Sequence, residues 1–499
     1  MKYQSKNNLF AIAALLVLFI AAGCKKQLDI NQNPNYPTLD QGNPKLVFPA
    51  AVLATAGKVG GDLAIVGGMW SEFFTQATLS QQYTTIDSYN MPPTNQYVNG
   101  VWDILFPNGL KNYQYVIDQS KASGDWNYYL MGTVMKAYTT EVLVDLYDQI
   151  PYGESLKGTS NLNPNFEDGY SVYTELINSI DSALNQDFTA STNSVPGSED
   201  LVFGGNMDRW KAFANTLKLK MYLRMVNTHP DVAEAGIKAL YNANAQFLTT
   251  NAGVSNFTDA PGLDNPLYEQ NIRQLNTTTN IKASTTFVSW LNENNDPRVV
   301  SYFGQTNPTS INQGDYTGNN ATYQTAPVFV QSPTDPVWFI SLPESYFLQA
   351  EANVRYFGGD NAKNLYDQGV VANFDALGMD SAGNAKVAPG GEYEWGNEQE
   401  NGSTLTPIEQ IIRQKWAAAP YGAREIESFF DRNRTGFPPI SDVYSTDPSY
   451  IPGQLVIAKN SVLPDHDYPQ RFPFPYDEAS RNKNTPALVP ITTPVWWAK

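Results

Sequence analysis

Apolar residues recur along most of this chain at helical spacing. Leu130, Val134, Tyr138, Val142 and Leu146 fall four apart and share one helical face. Pro151 and Gly153 close that segment. Asp168 to Asp187 and Arg209 to Val226 repeat the amphipathic pattern. Two further starts read as capping boxes. In Ser341-Leu342-Pro343-Glu344, Ser341 is the expected N-cap, Pro343 lies in the first turn and Glu344 stands at N3. Phe347, Ala350, Val354 and Phe357 continue it as a buried stripe, and Gly358-Gly359 stop it. Thr406-Pro407-Ile408-Glu409 repeats the device ahead of Ile411, Ile412 and Trp416. Ala350, Ala352 and Ala417-Ala418-Ala419 are small enough to let neighbouring helices approach closely. The pattern predicts a mostly α fold of paired, tetratricopeptide-like helical hairpins, with no clean period of about 34 residues.

Polar stretches separate these helices: Gln81 to Gly100, Asn251 to Asn280, Gln305 to Pro336 and Ala382 to Thr406. Loops of this length are commonly functional or disordered. They carry Tyr83, Tyr89, Tyr97, Tyr316, Tyr323, Tyr393 and Trp395. Disordered segments lack such rings, so ordered surface loops are expected. Gly57, Gly60, Gly61, Gly67 and Gly68 lack the order of a phosphate loop and read as breaks between two early helices.

The N-terminus changes the picture most. Lys2 and Lys6 precede Leu9 to Ala22, an uncharged apolar run of 14 residues. That is the length of a signal-peptide core and short for a membrane span. Ala21, Ala22 and Gly23 lead directly into Cys24, and the segment resembles a bacterial lipobox, with Ala21 where Leu is commoner. The chain is therefore read as a signal peptide over 1–23, a lipidated Cys24 with a flexible tether over 24–45, and a folded body over 46–499. Acyl groups such as palmitate on Cys24 would hold it to the membrane. No other long apolar run is read in the chain.

Composition narrows the chemistry. Net charge is −17, and becomes −19 when Lys2 and Lys6 leave with the leader. Such a body is a poor partner for phosphate backbones, so nucleic acid is not expected. Cys24 is the only cysteine, and His229 and His466 are the only histidines. Disulfides, cysteine or HExxH metal sites and Ser-His-Asp catalysis have no basis in the sequence. No cofactor, metal or catalytic residue is expected.

Several ordered segments together resemble the SusD/RagB family of nutrient-binding lipoproteins, in its second SusD-like group. They begin at Asp29-Ile30-Asn31-Gln32-Asn33-Pro34-Asn35 and run through Lys136-Ala137-Tyr138 and Val144 to Tyr152. Trp210 to Arg224, Asp296-Pro297-Arg298 and Ser345 to Ala352 follow. Gln414-Lys415-Trp416, Glu427 to Arg434, Arg471 to Pro475, Glu478 and Asn482 complete the series. The resemblance implies a lipoprotein on the outer face of the outer membrane. It also implies an oligosaccharide or other nutrient as cargo, a SusC-like TonB-dependent transporter as partner, and binding rather than catalysis.

Most motif residues read as scaffold. Glu351, Arg298, Asp431, Arg432 and Arg471 are expected in partly buried ion pairs between helices. Sugar binding needs aromatic platforms beside amide and carboxylate groups. Trp70, Tyr83, Tyr89 and Trp102 are the candidate ligand contacts, in the part of the chain where the family's loops often supply them. Core packing competes for Trp70, beside Phe73 and Phe74, and for Trp102, near Leu105 and Phe106. Two alternatives come from other classes: a surface glycosidase and a structural lipoprotein without cargo. For the first, Glu392, Glu394, Glu398 and Glu400 form the densest acidic group, read here as a solvated stretch.

Overall fold

Helices form almost everywhere that the four-residue apolar spacing occurs. The computed structural model describes residues 43–318, 321–464 and 466–498. The leader, Cys24 and most of the tether lie outside the described residues. The longer helices are α1 (Pro44–Gly57), α2 (Leu63–Trp70), α3 (Gln96–Ile104), α4 (Lys111–Ser123), α5 (Trp126–Tyr147), α6 (Gly169–Leu184) and α7 (Met207–Arg224). They continue as α8 (Pro230–Asn242), α9 (Thr285–Glu293), α10 (Leu342–Tyr356), α11 (Ala362–Ala376), α12 (Asp380–Val387), α13 (Pro407–Ala418) and α14 (Glu425–Thr435). Among the described residues the short strands are β1 (Phe74–Gln76), β2 (Gln149–Ile150), β3 (Glu167–Asp168), β4 (Ala252–Val254), β5 (Ile281–Ala283), β6 (Val337–Ile340), β7 (Gln399–Glu400) and β8 (Ser403–Thr404). They pair antiparallel as β1–β5, β2–β3, β4–β6 and β7–β8.

The hairpins are TPR-like. Gly124 takes a left-handed φ of 72° after α4, and the Asp125 carboxylate then caps α5. Phe347 of α10 lies against Tyr366 of α11, with ring centroids 6.3 Å apart. Both expected capping residues act. Ser341 Oγ accepts from the Glu344 N–H at 3.2 Å, and Thr406 Oγ1 accepts from the Glu409 N–H at 3.3 Å. Only the second box closes: Glu409 reaches back to the Thr406 backbone. Glu344 is taken instead by Arg424, at 2.8 Å.

The early glycines do not break a helix. Residues 44–70 run as one helical rod, with a single π turn at Lys58–Asp62 between α1 and α2. Gly60, Gly61, Gly67 and Gly68 are pressed by neighbours of the rod, whereas Gly57 faces open space. A Cβ on Gly67 would lie 2.2 Å from the Ile426 nitrogen, on the backbone of α14. This rod is also an apolar run that the sequence reading passed over. It is long and apolar enough to cross a membrane, yet 72% of its most apolar window is buried inside the body, as in a core helix.

A cluster of charges lies at the heart of the helix stack. Lys220 and Arg224 of α7 face Glu141 and Asp145 of α5 and Glu427 of α14. Arg424 holds Glu344, Lys415 of α13 holds Asp431 at 2.7 Å, and Arg434 holds Glu351 at 2.6 Å. All of these side chains are buried. Isolated ions would not survive there, and reciprocal pairing is what allows them. The ion-pair expectation is met by Glu351 and Asp431; Arg471 also pairs, with Asp148 at 3.2 Å, but from an irregular segment to the end of α5 rather than between helices. Arg298 also pairs, but with its near neighbour Asp296 at 2.6 Å rather than across helices. Arg432 differs. Among the described residues it forms no ion pair, and its guanidinium sits 4.8 Å from the centre of the Tyr468 ring.

Candidate functional site

The four aromatic candidates do not form one site, and all are buried. Trp70 is 0% exposed; its Nε1 donates to the Ile86 carbonyl at 3.1 Å, and it packs on Phe429 and Phe472. Tyr89 lies edge-on to Trp70 at 6.5 Å. Tyr83 donates to Asn271 Oδ1 at 3.1 Å, under Tyr97. Trp102 packs separately, against Phe106 and Tyr147. Burial pushes the Tyr83 and Tyr89 hydroxyls up. As packed, no ring of the four presents a face to solvent. Helices α3 and α12 begin or run within stretches read as loops. Of the rings in the polar stretches, Tyr83, Tyr89, Tyr97, Tyr323 and Tyr393 point inward rather than lying on surface loops. The reason is area: each ring removed from water gains about 25 cal/mol per Å², and the polar loop backbone stays outside.

A cleft of about 410 Å³ brings rings and polar groups together elsewhere. Four segments far apart in sequence build it. The end of α9 supplies Trp290, Glu293 and Asn294. The β7–β8 hairpin supplies Glu398, Gln399, Glu400 and Asn401. Helix α13 supplies Arg413, and residues 448–452 supply Ser449 and Tyr450. The hairpin turns through Asn401-Gly402, with φ of 48° and 77°. This is the two-residue loop that matches strand twist. Gly453, at φ 85°, lets the last segment lie on Trp290; a Cβ there would meet the indole Cδ1 at 2.4 Å.

Trp290 is held from behind by Tyr393, stacked at 5.5 Å and 7°. Half-buried Tyr450 donates to the Gln454 carbonyl at 2.6 Å. Glu400 pairs with Arg413 at 2.6 Å. Glu398 is buried and accepts from Tyr366 and Gln410 at 3.3 and 3.4 Å. Burial pushes the Glu398 carboxyl up to about 7, against the lowering effect of Arg413 and those two donors. The acidic group is therefore not one solvated stretch. Glu392 is exposed, Glu394 and Glu400 are half-buried, and Glu398 turns into the fold. Sequence reasoning flagged Glu398 and Glu400 but missed Trp290, Arg413 and Tyr450. The local signals were Asn401-Gly402 and the Asp447-Pro448-Ser449 turn, where Ser449 N–H donates to Asp447 at 2.8 Å. Nothing local links them to Trp290.

Chemically, the cleft offers the half-buried Tyr450 ring, amides, a carboxylate–guanidinium pair and a buried carboxyl. That set suits hydroxyl-rich, partly apolar ligands. Among the described residues no group of three or more His, Cys, Asp or Glu side chains could hold a metal ion.

A family model named SusD-like_2 and described as "Starch-binding associating with outer membrane" matches residues 68–455. A SusD homologue from Bacteroides uniformis is similar in structure, with a TM-score of 0.70 at 21% identity, covering 91% of this chain and 99% of that one. A SusD homologue from Parabacteroides distasonis gives 0.72 at 19% identity, over 91% and 98%. A chitin-binding SusD homologue from Flavobacterium johnsoniae gives 0.69 at 19%, also over 91% and 98%. Comparison with curated proteins finds no match.

Proposed function

The chain belongs to the SusD-like family, and from that premise we propose that it is a surface lipoprotein that binds oligosaccharide and passes it to a SusC-like, TonB-dependent barrel in the outer membrane. Acylated Cys24 is its anchor, and residues 24–43, up to the start of α1 at Pro44, its tether. The observation that carries the binding reading is the cleft around half-buried Tyr450, whose wall includes the buried Trp290 and where Gln399, Glu400, Asn401 and Arg413 stand beside the Tyr450 ring. Sugar faces are apolar and their edges are hydroxylated, so this mixture removes one from water while satisfying the other. Trp70, Tyr83, Tyr89 and Trp102 line no part of this cleft and are packed within the body.

Calorimetric titration of the body from Asp29 onward with starch and chitin oligosaccharides tests the reading. Tyr450→Ala is expected to weaken the recognised glycan about tenfold, or ~1.4 kcal/mol, with an unchanged melting temperature. Unaltered affinity in both Tyr450→Ala and Asn401→Ala would place the cargo elsewhere. A second reading is favoured by one observation. Glu398, pushed up to about 7, and ion-paired Glu400 are two carboxyls of contrasting character in one cleft, as in glycosidases. Both are engaged by neighbours, which favours binding. Release of reducing ends from the bound glycan by purified protein would reverse that choice. Labelling with a fatty-acid analogue tests the anchor: Cys24→Ala should abolish incorporation. Co-purification with a barrel transporter tests the partner.

A further inference from the structure

Three rings between α8 and α10 stay half-buried where the four sequence candidates are buried. Tyr241 of α8, Phe247 of the loop after it and Tyr346 of α10 line one hollow of about 340 Å³. Tyr241 lies 5.3 Å from Phe247 and is backed by Phe357 at 4.6 Å. The loop is fixed by its own bonds. Asn244 takes a left-handed φ of 53°, and the Ala245 N–H donates back to the Leu240 carbonyl at 3.0 Å, which closes α8 in a Schellman turn. Gln246 Nε2 donates to the Asn244 carbonyl at 3.0 Å, and Asn215 Nδ2 donates to the Gln246 carbonyl at 3.1 Å. Phe247 is therefore held in place before any ligand arrives, so little ordering remains to oppose binding.

Tyr346 also lines an adjoining hollow of about 580 Å³ between α10, α11 and α12. Leu342, Tyr346 and Gln349 follow at helical spacing on α10, so one edge of that helix passes along both hollows over about 10 Å. Val371 of α11 and Val387 of α12 add apolar surface, and Gln368 and Asn384 add amides. Gln349 Nε2 donates to the Ser345 carbonyl at 3.1 Å, which leaves its Oε1 able to accept. Among the described residues no lysine or arginine lines either hollow, whereas Asp367, Asp375 and Asp380 line the second. Asp367 is paired with Lys363 at 2.5 Å; among the described residues Asp375 and Asp380 form no ion pair.

Grouped rings left partly in water mark a binding surface. A wholly apolar ligand would leave the amides beside them unanswered. A sugar ring presents an apolar C–H face to the aromatic surface and a hydroxyl edge to the amides. The aspartates, with no lysine or arginine in the lining, repel an anionic chain and leave a neutral one unopposed. We propose that the two hollows form a second oligosaccharide site, which takes an uncharged glycan chain laid across Tyr346 and rejects uronate chains. The proposal rests on the reading of this chain as an oligosaccharide binder, but the site shares no lining residue with the cleft at Tyr450.

Calorimetric titration of the chain from Cys24 onward with maltohexaose and chitohexaose tests this, with hexagalacturonate as the anionic competitor. One of the two neutral probes is expected to show binding that survives Tyr450→Ala. Tyr346→Ala should weaken that surviving binding about tenfold, as for roughly 55 Å² of ring surface no longer taken from water. Gln246→Ala combined with Asn384→Ala, both at exposed positions, should weaken it about threefold and serves if Tyr346→Ala does not fold. Hexagalacturonate should not compete. Surviving binding that is unchanged in the variant that folds, or that hexagalacturonate displaces, would overturn the proposal. Absence of any binding that survives Tyr450→Ala would also overturn it, and would assign the rings to a protein contact. The two sites are told apart by the same data: loss in Tyr450→Ala alone keeps the cleft and removes this site, and loss in Tyr346→Ala alone does the reverse.

Discussion

Arg224→Met takes one cation from a cluster that water cannot reach and leaves its carboxylate partners in place. Arg224 is 1% exposed, with Asp145 at 3.1 Å and Glu427 at 2.6 Å. Met keeps the apolar stem, which matters because the guanidinium also lies 5.2 Å from Phe430 and 5.1 Å from Trp497. The loss is therefore charge rather than packing. Removing one partner of a buried pair costs about 3–5 kcal/mol. Unfolding entropy of about 2.1 cal/mol/K per residue gives about 1 kcal/mol/K over a body of this size. The melting temperature should fall by about 3–5 °C at pH 7.5. The pH dependence carries the sharper signature. Burial alone would raise Glu427, but Arg224, Lys220, Lys415 and Arg424 outweigh it and hold the carboxyl well below the usual range. Its stabilising charge is therefore present above the unfolded value of about 4.3 and is lost only in strong acid. Without Arg224, Glu427 and Asp145 protonate more readily. The deficit of the variant should shrink as pH falls from 7.5 to roughly 5. Scanning calorimetry of both proteins at the two pH values reads this. A variant as stable as its parent, or a deficit identical at both pH values, would refute the reasoning.

Other outcomes follow from the same geometry. Gly67→Ala places a methyl on the α14 backbone and should lower stability by about 1–3 kcal/mol, seen as an earlier denaturant midpoint. Glu398→Gln should flatten the fall in stability between about pH 4.3 and 7. The native carboxyl, raised to about 7, binds a proton there that the unfolded chain does not; an unchanged slope would remove Glu398 from that role. Trp70→Ala, at a fully buried ring, should cost about 3–5 kcal/mol, while the fraction that folds keeps its glycan affinity in titration.

Local chemistry was enough to place the helices with clear stripes and caps, though not the unbroken rod over 44–70 or α12. The four-residue stripe of α5, the Ser341 and Thr406 caps, and the stops at Gly358-Gly359 all depend on residues within a turn or two of one another, so the chain states them directly. The charged motif residues were legible as ion pairs for a related reason. Lysine, arginine, glutamate and aspartate on apolar helix faces must find opposite charge when buried, although the choice of Glu351 for Arg434 required two helices to meet. Arg432 shows the limit: an aromatic face, not a carboxylate, happened to lie within reach. Whether a ring packs or binds was not readable locally. Trp70, Tyr83, Tyr89 and Trp102 have the composition of a sugar platform and the burial of a core, and burial is decided by what arrives from elsewhere in the chain. The early glycines carry the same lesson, since a residue that breaks one helix permits the close approach of another. The cleft itself joins residues 290, 400, 413 and 450, and only folding brings such distant segments to one wall, because their contacts are made through space rather than along the backbone.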